Sequence, residues 1–229
     1  GGDDTLNGSL GNDEIHGGEG NDTVEGGDGN DTLKGDGGDD TITAGSGNDT
    51  VEGGDGNDTI YGSSGTNNLK GEGGDDILNG GSGDDTIYGG DGNDTFSSLS
   101  ANDKVFGGDG DDTIYGGLVN YIDAGAGDDE VKLNANQRYG NNGLTFDFLD
   151  GGTGTDTLHF VYVGGLNSGG STPIGDAIVN FEKIKFSTTT SGSYNFNLGS
   201  QAGSAGESIT VEVVQTSMMT AYGIDFTSA

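Results

Sequence analysis

The stretch GGEGNDTVEGGDGNDTL, residues 17–33, contains two almost identical units of nine residues. Each unit follows the rule Gly-Gly-x-Gly-x-Asp-x-aliphatic-x, so that Gly17 occupies position 1 and Glu25 occupies position 9. A self-similar period of this kind indicates a repeat architecture, and it has to be settled before single strands or helices are assigned.

The rule holds in register along most of the chain. An acidic residue recurs at position 6, with Asn67 as one replacement, and an apolar residue recurs two places later. The apolar residues at position 8 are Leu6, Ile15, Val24, Leu33, Ile42, Val51, Ile60, Leu69, Leu78, Ile87, Phe96, Val105 and Ile114. Because the nine-residue spacing is kept over so many units, we predict that the repeat itself determines the fold.

Several units break the rule. Segment 63–67 lacks the acid, segment 98–102 lacks the glycines, and segment 116–123 is one residue short, with Tyr121 near the expected place of the acid. The rule resumes at 124–132 and again at 151–159. Between them, residues 133–150 span eighteen residues of unrelated sequence, one coil's worth. We interpret 133–143 as a loop that bulges from a maintained coil.

The composition alone is typical of a disordered acidic segment, with 28% hydrophobic residues, 51 glycines and a formal net charge of −32. The period predicts instead that each unit buries its one apolar side chain by stacking on its neighbours. The length of 229 residues fits one long domain or two small ones. Only seven basic residues are present, which argues against nucleic-acid binding and favours cations as partners.

The repeat predicts an all-β fold. The residues around position 8 are expected to form a very short strand with one side chain inward, and the Gly-Gly-x-Gly half is expected to form a turn. Eighteen residues then close one coil, and coils stack at roughly 4.8 Å. Unit n lies on unit n+2, so the acids form two columns, one at each edge of a parallel β-roll over residues 1–159.

From Phe160 onward the composition changes. Alternating apolar residues predict strands at 160–163, 178–186, 194–198, 209–214 and 222–226. We interpret 160–229 as a C-terminal β-rich capping region, because the last coil of a solenoid otherwise exposes its core and its edge amides. The alternative is an independent domain joined by the glycine-rich segment 164–175.

The chemistry of the repeat favours calcium. Carboxylates surrounded by backbone carbonyls form a hard-oxygen environment, which suits Ca²⁺ better than Mg²⁺. Zinc and copper are disfavoured, since there is no Cys and the only histidines, His16 and His159, stand at the outward position 9 and are expected to face solvent. EF-hand spacing is absent. Solvated columns without a cation are disfavoured, because carboxylates ~5 Å apart repel by about 1 kcal/mol even in water.

The units GGDGNDTLK, GGDGNDTIY and GGSGDDTIY resemble the RTX (hemolysin-type) calcium-binding nonapeptide repeats. The resemblance covers residues 1–159. It implies a right-handed parallel β-roll (a β-solenoid) that binds several Ca²⁺ ions, roughly ten here, between the turns of units n and n+2.

The resemblance also implies the ligands. The implied side-chain ligands are Asp4, Asp13, Asp22, Asp31, Asp40, Asp49, Asp58, Asp76, Asp85, Asp94, Asp103, Asp112, Asp129, Asp147 and Asp156. The implied main-chain ligands are odd-position carbonyls of the neighbouring turn and the carbonyls of positions 2 and 4, namely Gly18, Gly20, Gly27, Gly29, Gly45, Gly47, Gly54, Gly56, Gly81, Gly83, Gly90, Gly92, Gly108 and Gly110. Regular sites do not carry over to Asn67, 98–101 and 116–123.

The family resemblance implies type I secretion and folding outside the cell. Two functions fit this chemistry: a calcium-binding structural module of an exported bacterial surface protein, of adhesin or S-layer type, or the secretion-assisting tail of a secreted protease, lipase or alginate epimerase. A cell-surface or self-association partner would then act through the parent protein.

Other classes are disfavoured. Catalysis is not expected, because the motifs H-E-x-x-H and G-x-S-x-G are absent. Ice binding is disfavoured, because rows of Thr are expected at position 3, which instead carries Glu19, Asp28, Ser46, Asp55, Ser82, Asp91 and Asp109. No apolar run is long enough to span a membrane. The chain begins in mid-repeat, so we expect a fragment of a longer secreted protein.

Overall fold

A computed structural model describes residues 1–100, 102–116, 121–134, 148–161, 178–188 and 210–215. In these ranges the regular secondary structure consists of β-strands, and the strands form two parallel sheets. The predicted all-β parallel roll is therefore confirmed. Within the same ranges, no helix has the length and apolar character needed to cross a membrane.

One sheet contains the odd-numbered strands in sequence order, followed by β20. These strands are β1 (Thr5–Leu10), β3 (Thr23–Asp28), β5 (Thr41–Ser46), β7 (Thr59–Tyr61), β9 (Ile77–Asn79), β11 (Thr95–Ser97), β13 (Thr113–Gly116), β15 (Glu130–Asn134), β17 (Thr157–Val161), β19 (Lys183–Thr188) and β20 (Thr210–Gln215).

The other sheet contains the remaining even-numbered strands. They are β2 (Glu14–Glu19), β4 (Thr32–Gly37), β6 (Thr50–Asp55), β8 (Asn68–Gly73), β10 (Thr86–Asp91), β12 (Lys104–Asp109), β14 (Tyr121–Ala126), β16 (Phe148–Asp150) and β18 (Ile178–Val179). In the regular region, strands pair with an offset of eighteen residues, as Val24 does with Ile42. Unit n therefore lies on unit n+2, as the period predicts.

Many strands are longer than expected. In β3, for example, the strand runs from Thr23 at position 7 to Asp28 at position 3 of the next unit. The first two glycines of the unit are therefore part of the strand, which continues because Gly27 and Asp28 pair in register with the next coil, and the turn is confined to positions 4–6. The expectation that the whole Gly-Gly-x-Gly half forms the turn is wrong.

The core is a column two residues wide within each coil. Position 8 is fully buried from Val24 to Leu158. Position 1 also points inward, and most units place glycine there. In four units the buried cluster gains a side chain at this position, from Ala44, Ala124, Leu133 or Phe160, whereas Ser98 of the irregular unit is exposed.

The short unit and the insertion are accommodated within the sheets. Lys104 pairs with Tyr121, an offset of seventeen. Tyr121 is thus at position 7 rather than near the acid, and its ring stacks on Phe148 with centroids 4.9 Å apart. Leu133, which we predicted to begin the loop, belongs to β15 and pairs with Gly116.

Residues 133–150 replace one unit rather than one coil. They contribute one strand to the even sheet, β16, which follows β14 directly, with Ile122 paired to Leu149. The rest of the predicted loop, 135–143, and the predicted ligand Asp147 lie outside the described residues.

Both sheets continue beyond residue 159. Leu149 pairs with Ile178 in β18, Leu158 pairs with Ile184 in β19, and Ile184 pairs in turn with Val211 in β20. The strands predicted at 194–198 and 222–226 lie outside the described residues. The boundary between a roll over 1–159 and a capping region 160–229 stays a prediction. The pairing of β18, β19 and β20 with the roll favours a cap over an independent domain.

Candidate metal centre

The position-6 residues form two columns, one in the turns before each sheet. The odd column precedes the odd-numbered strands and contains Asp4, Asp22, Asp40, Asp58, Asp76, Asp94, Asp112, Asp129 and Asp156. The even column precedes the even-numbered strands and contains Asp13, Asp31, Asp49, Asn67, Asp85 and Asp103. From Asp22 onward these side chains are at most 2% exposed, whereas Asp4 and Asp13, at the N-terminal end, are more accessible.

One oxygen of each buried carboxylate has a hydrogen-bond partner within the roll. The backbone N–H of Asp58 donates to Oδ1 of Asp76 at 2.7 Å, and the N–H of Asp76 donates to Oδ1 of Asp94 at 2.8 Å. The same bond recurs from coil to coil. Each carboxylate therefore links its own turn to the turn of the preceding coil.

In all but one of these buried carboxylates, the exception being Asp103, the second oxygen has no hydrogen-bond partner. This Oδ2 atom is buried and unpaired in Asp13, Asp22, Asp31, Asp40, Asp49, Asp58, Asp76, Asp85, Asp94, Asp112, Asp129 and Asp156. Buried polar atoms are normally hydrogen-bonded, and an unpaired buried charge is unfavourable. A repeated unpaired carboxylate oxygen therefore fits a repeated cation site.

In most units with glycine at position 1, a backbone carbonyl lies beside this oxygen. A Cβ atom placed on Gly26 would lie 2.5 Å from Oδ2 of Asp31 and 2.5 Å from the carbonyl oxygen of Ala44, at position 1 of the next coil. The two oxygens thus face one small space that glycine leaves open. In the described ranges, no three His, Cys, Asp or Glu side chains form a metal-binding cluster, so a cation here requires carbonyl ligands.

The electrostatics favour neutralisation of the columns. Burial, together with the charge of neighbouring carboxylates, raises the pKa of Asp76 to about 7 and that of Asp112 to about 8. Burial likewise raises the pKa of Asp58 and Asp94 to about 6. A divalent cation would relieve the same unfavourable charge, and Ca²⁺ accepts this mixture of carboxylate and carbonyl oxygens.

Position 4 is restricted to glycine for a steric reason. Gly29 has φ of +146°, and a Cβ on it would overlap the carbonyl of Gly11 in the preceding coil. Position 2 is more tolerant: Asp36 and Glu72 adopt φ of +74° and +79° there. The predicted ligand glycines at both positions lie in or beside these turns, and their coordination of calcium stays a prediction.

In two units of the even column, protein groups provide hydrogen-bond partners for both polar atoms of the position-6 side chain. Asn67 accepts the N–H of Asp49 at 3.0 Å, while its Nδ2 donates to the carbonyl of Gly62 at 3.2 Å. In the irregular unit, the N–H of Ser100 donates to Oδ2 of Asp103 at 2.5 Å. An amide and a backbone N–H thus occupy the positions where a cation is expected elsewhere.

Sequence analysis missed a second ladder at position 5. The N–H of Asn57 donates to Oδ1 of Asp39 at 2.9 Å, and the N–H of Asp75 donates to Oδ1 of Asn57 at 2.7 Å. These bonds run opposite to those at position 6, so both turn amides are satisfied. The signal was present, because position 5 of the described units is Asn or Asp except at Thr66 and Thr155.

Sequence analysis also missed Glu182. Lys183 pairs with Thr157 at position 7, so Glu182 occupies position 6, and its Oε2 accepts the N–H of Asp156 at 2.8 Å. The sequence signal was weak: Glu182 stands two places before the apolar Ile184, as position 6 stands before position 8, but the residues between Phe160 and Ile178 do not follow the period. Glu182 extends the odd column by one carboxylate.

The prediction for His159 is wrong. It is 9% exposed, and its Nδ1 lies 2.9 Å from Oε1 of Glu130. Its neighbours in the outward row are Lys132 and Lys185, one on each side, which reduce its exposure. His16 is about half exposed, near Glu14 and Asp36.

A parallel β-roll with columns of buried carboxylates beside backbone carbonyls defines a repeat module built for divalent cations. The chain belongs to the family of the RTX calcium-binding nonapeptide repeat, whose family model matches residues 1–33, 25–60, 34–69, 61–96, 88–120, 98–131 and 140–160. Repeats of this family bind calcium and are typical of secreted proteins. The comparison with curated proteins found no match.

Proposed function

We propose that this chain is the calcium-binding structural module of an exported bacterial surface protein, of adhesin or S-layer type, and that it folds on meeting extracellular Ca²⁺. The observation that carries the proposal is the repeated buried Oδ2 atom without a partner. The position-6 carboxylates are the side-chain ligands, and the carbonyls of positions 2 and 4 contribute with those of position 1. Roughly ten ions are bound.

The expected affinity makes calcium a switch for folding. Extracellular calcium modules bind at ~10⁻⁴–10⁻³ M, so the sites stay empty in the cytosol and fill outside the cell. At ten times Kd, each occupied site contributes about 1.4 kcal/mol to the folded state. Roughly ten sites then contribute on the order of 14 kcal/mol, which is comparable to the whole stability of a domain.

A scaffold role fits the arrangement better than catalysis. The carboxylates of a column repeat one environment from coil to coil, each with one oxygen hydrogen-bonded and, in most, the other unpaired. An acid–base pair needs two groups in environments that separate their pKa values. A column of equivalent groups supports a rigid rod that presents its outer faces to partners at a cell surface.

The proposal is tested by circular dichroism of the whole chain in excess EDTA and in millimolar CaCl₂. We expect a coil spectrum in EDTA and a β-spectrum in calcium. Equal concentrations of MgCl₂ serve as the control for charge screening, because Mg²⁺ requires a rigid octahedral site. A fully β-structured chain in EDTA, or equal folding in magnesium, would show that calcium does not drive folding.

A further inference from the structure

The two columns of the centre differ in continuity. In the odd column, every carboxylate from Asp22 to Asp156 has a buried, unpaired Oδ2. The coil-to-coil hydrogen bonds run without a gap from the N–H of Asp4 to Glu182. The sequence irregularity at 116–123 and the insertion after Asn134 leave this column intact, since Asp112 pairs with Asp129 and Asp129 with Asp156.

The coil-to-coil hydrogen bonds of the even column also continue, from the N–H of Asp13 to Asp103, but its unpaired oxygens are interrupted. Its unpaired oxygens belong to Asp13, Asp31, Asp49 and Asp85. Asn67 separates the first three from the fourth, and it forms its own hydrogen bonds in place of a cation. At Asp103 both carboxylate oxygens are satisfied by protein donors, and the N–H of Asp103 turns back to the carbonyl of Ser100 at 3.5 Å.

The outer ladder differs in the same direction. On the odd edge, position 5 carries the carboxylates Asp3, Asp39, Asp75, Asp111 and Asp128. From Asp3 to Asp111 they alternate with asparagines, so successive charges stand two coils apart. That separation, roughly 9.6 Å, is close to the screening length of about 8 Å at physiological salt. On the even edge, Asp84 is the one carboxylate of the described residues at this position.

Continuity decides cooperativity in a one-dimensional array. When each unit interacts only with its neighbours, an unbroken run of equivalent sites fills cooperatively, and a defective unit divides the run into independent short segments. The odd column has the longer run and the higher local negative charge. The even column has one run of three carboxylates before Asn67 and one unpaired carboxylate after it.

From this asymmetry we propose that the roll takes up calcium in two stages. The odd column fills first and cooperatively, and the even column fills at higher calcium in segments that Asn67 and Asp103 delimit. This inference rests on the proposed calcium-dependent folding. It assigns Glu182 as the last ligand of the first stage, and it makes the even column the part of the module that responds to changes in extracellular calcium.

The test uses the whole chain, with calcium binding measured by equilibrium dialysis and isothermal titration calorimetry, and β-structure by circular dichroism. Asp58→Asn places in the odd column the defect that Asn67 makes in the even column. Asp49→Asn removes the same charge from the even column. Asn67→Asp restores the even column, and Glu182→Gln removes the last odd carboxylate.

For the wild type we expect two binding stages, with most β-structure formed in the first. Asp58→Asn should raise the first midpoint about three- to tenfold and reduce its cooperativity. Asp49→Asn should change only the second stage. Asn67→Asp should move the second stage toward the first and add bound calcium, whereas Glu182→Gln should lower the stoichiometry of the first.

The outcomes separate this inference from the proposed function. Calcium binding in one stage, or equal effects of Asp58→Asn and Asp49→Asn on both stages, would overturn the two-stage inference while leaving calcium-dependent folding intact. An absence of calcium binding by the wild-type chain would overturn both. If Asp58→Asn fails to fold at any calcium concentration, the titration of Asn67→Asp still tests the inference. A second stage that does not move toward the first in that variant would overturn it.

Discussion

Replacing Asp76 by Asn should change stability in opposite directions with and without calcium. Asp76 is 1% exposed, its Oδ1 accepts the N–H of Asp58 at 2.7 Å, and its Oδ2 is unpaired. Asn67 shows how an amide fits this environment, with its oxygen accepting a backbone N–H and its Nδ2 donating to a carbonyl. The substitution therefore keeps the hydrogen bond and removes the charge.

The magnitude follows from the pKa of the carboxyl. Burial raises the pKa of Asp76 from 3.8 to about 7, so ionisation at pH 8 disfavours the calcium-free folded chain by on the order of 4 kcal/mol. Because the amide is also polar and buried, we expect Asp76→Asn to recover part of this, about 1–3 kcal/mol, in EDTA. In saturating calcium the same change removes a charged ligand and destabilises the chain by about 1–3 kcal/mol.

The assay compares variants by their folding midpoints. In EDTA, folding is induced with trimethylamine N-oxide, which favours compact states; in calcium, unfolding is induced with urea. Asp55→Asn, at the exposed position 3, is the control for the loss of one negative charge. Destabilisation by Asp76→Asn under both conditions, or an effect equal to that of Asp55→Asn, would refute the assignment of Oδ2 as an unpaired ligand.

Three further predictions concern acid, glycine and the C-terminal strands. The raised pKa values of Asp76, Asp112 and Asp156 mean that the calcium-free folded chain binds more protons than the unfolded chain between about pH 4 and pH 8. The stability of the folded chain therefore falls as pH rises through that window. Circular dichroism in EDTA should show β-structure increasing from pH 8 to pH 5, and a β-content that does not change with pH would contradict this. Gly56→Ala should prevent folding in calcium, because Gly56 has φ of +135° and an added Cβ would overlap the carbonyl of Gly38. Gly73→Ala should fold like the wild type, because the atom nearest to its added Cβ lies 3.9 Å away. Equal thermal stabilities of the two variants would show that position 4 is not sterically restricted. Because β18, β19 and β20 continue the sheets, residues 1–159 alone should require more calcium to fold than the whole chain, and identical titration curves would show that the capping region is dispensable.

The sequence predicts the roll well because stacking imposes the period directly. Position 8 is apolar in every regular unit and position 6 is acidic in all of them except at Asn67, so the two sheets and the two columns follow from counting residues. The length of the strands could not be predicted in this way. Gly26 and Gly27 have no preference for extended structure, and β3 continues through them because Gly27 and Asp28 pair with the next coil.

The centre was predictable in part. The position-6 acids were evident from the sequence. That Oδ1 is hydrogen-bonded and Oδ2 is unpaired was not, because this difference depends on which backbone N–H reaches the carboxylate. The role of Glu182 was hidden, since 26 residues separate it from Asp156 in a region without the period. The difference between the columns lies in the positions of Asn67 and Asp103, which matter only when alternate units are assigned to opposite edges.

The most direct test of calcium binding by the columns is a crystal structure of the chain grown in calcium, with anomalous scattering used to locate the ions. We expect anomalous peaks beside Oδ2 at each coil of the odd column from Asp22 to Asp156, and weaker or absent peaks beside Asn67 and Asp103. Anomalous peaks confined to exposed acidic side chains, with Oδ2 of Asp58, Asp76 and Asp94 left without an ion, would contradict the account.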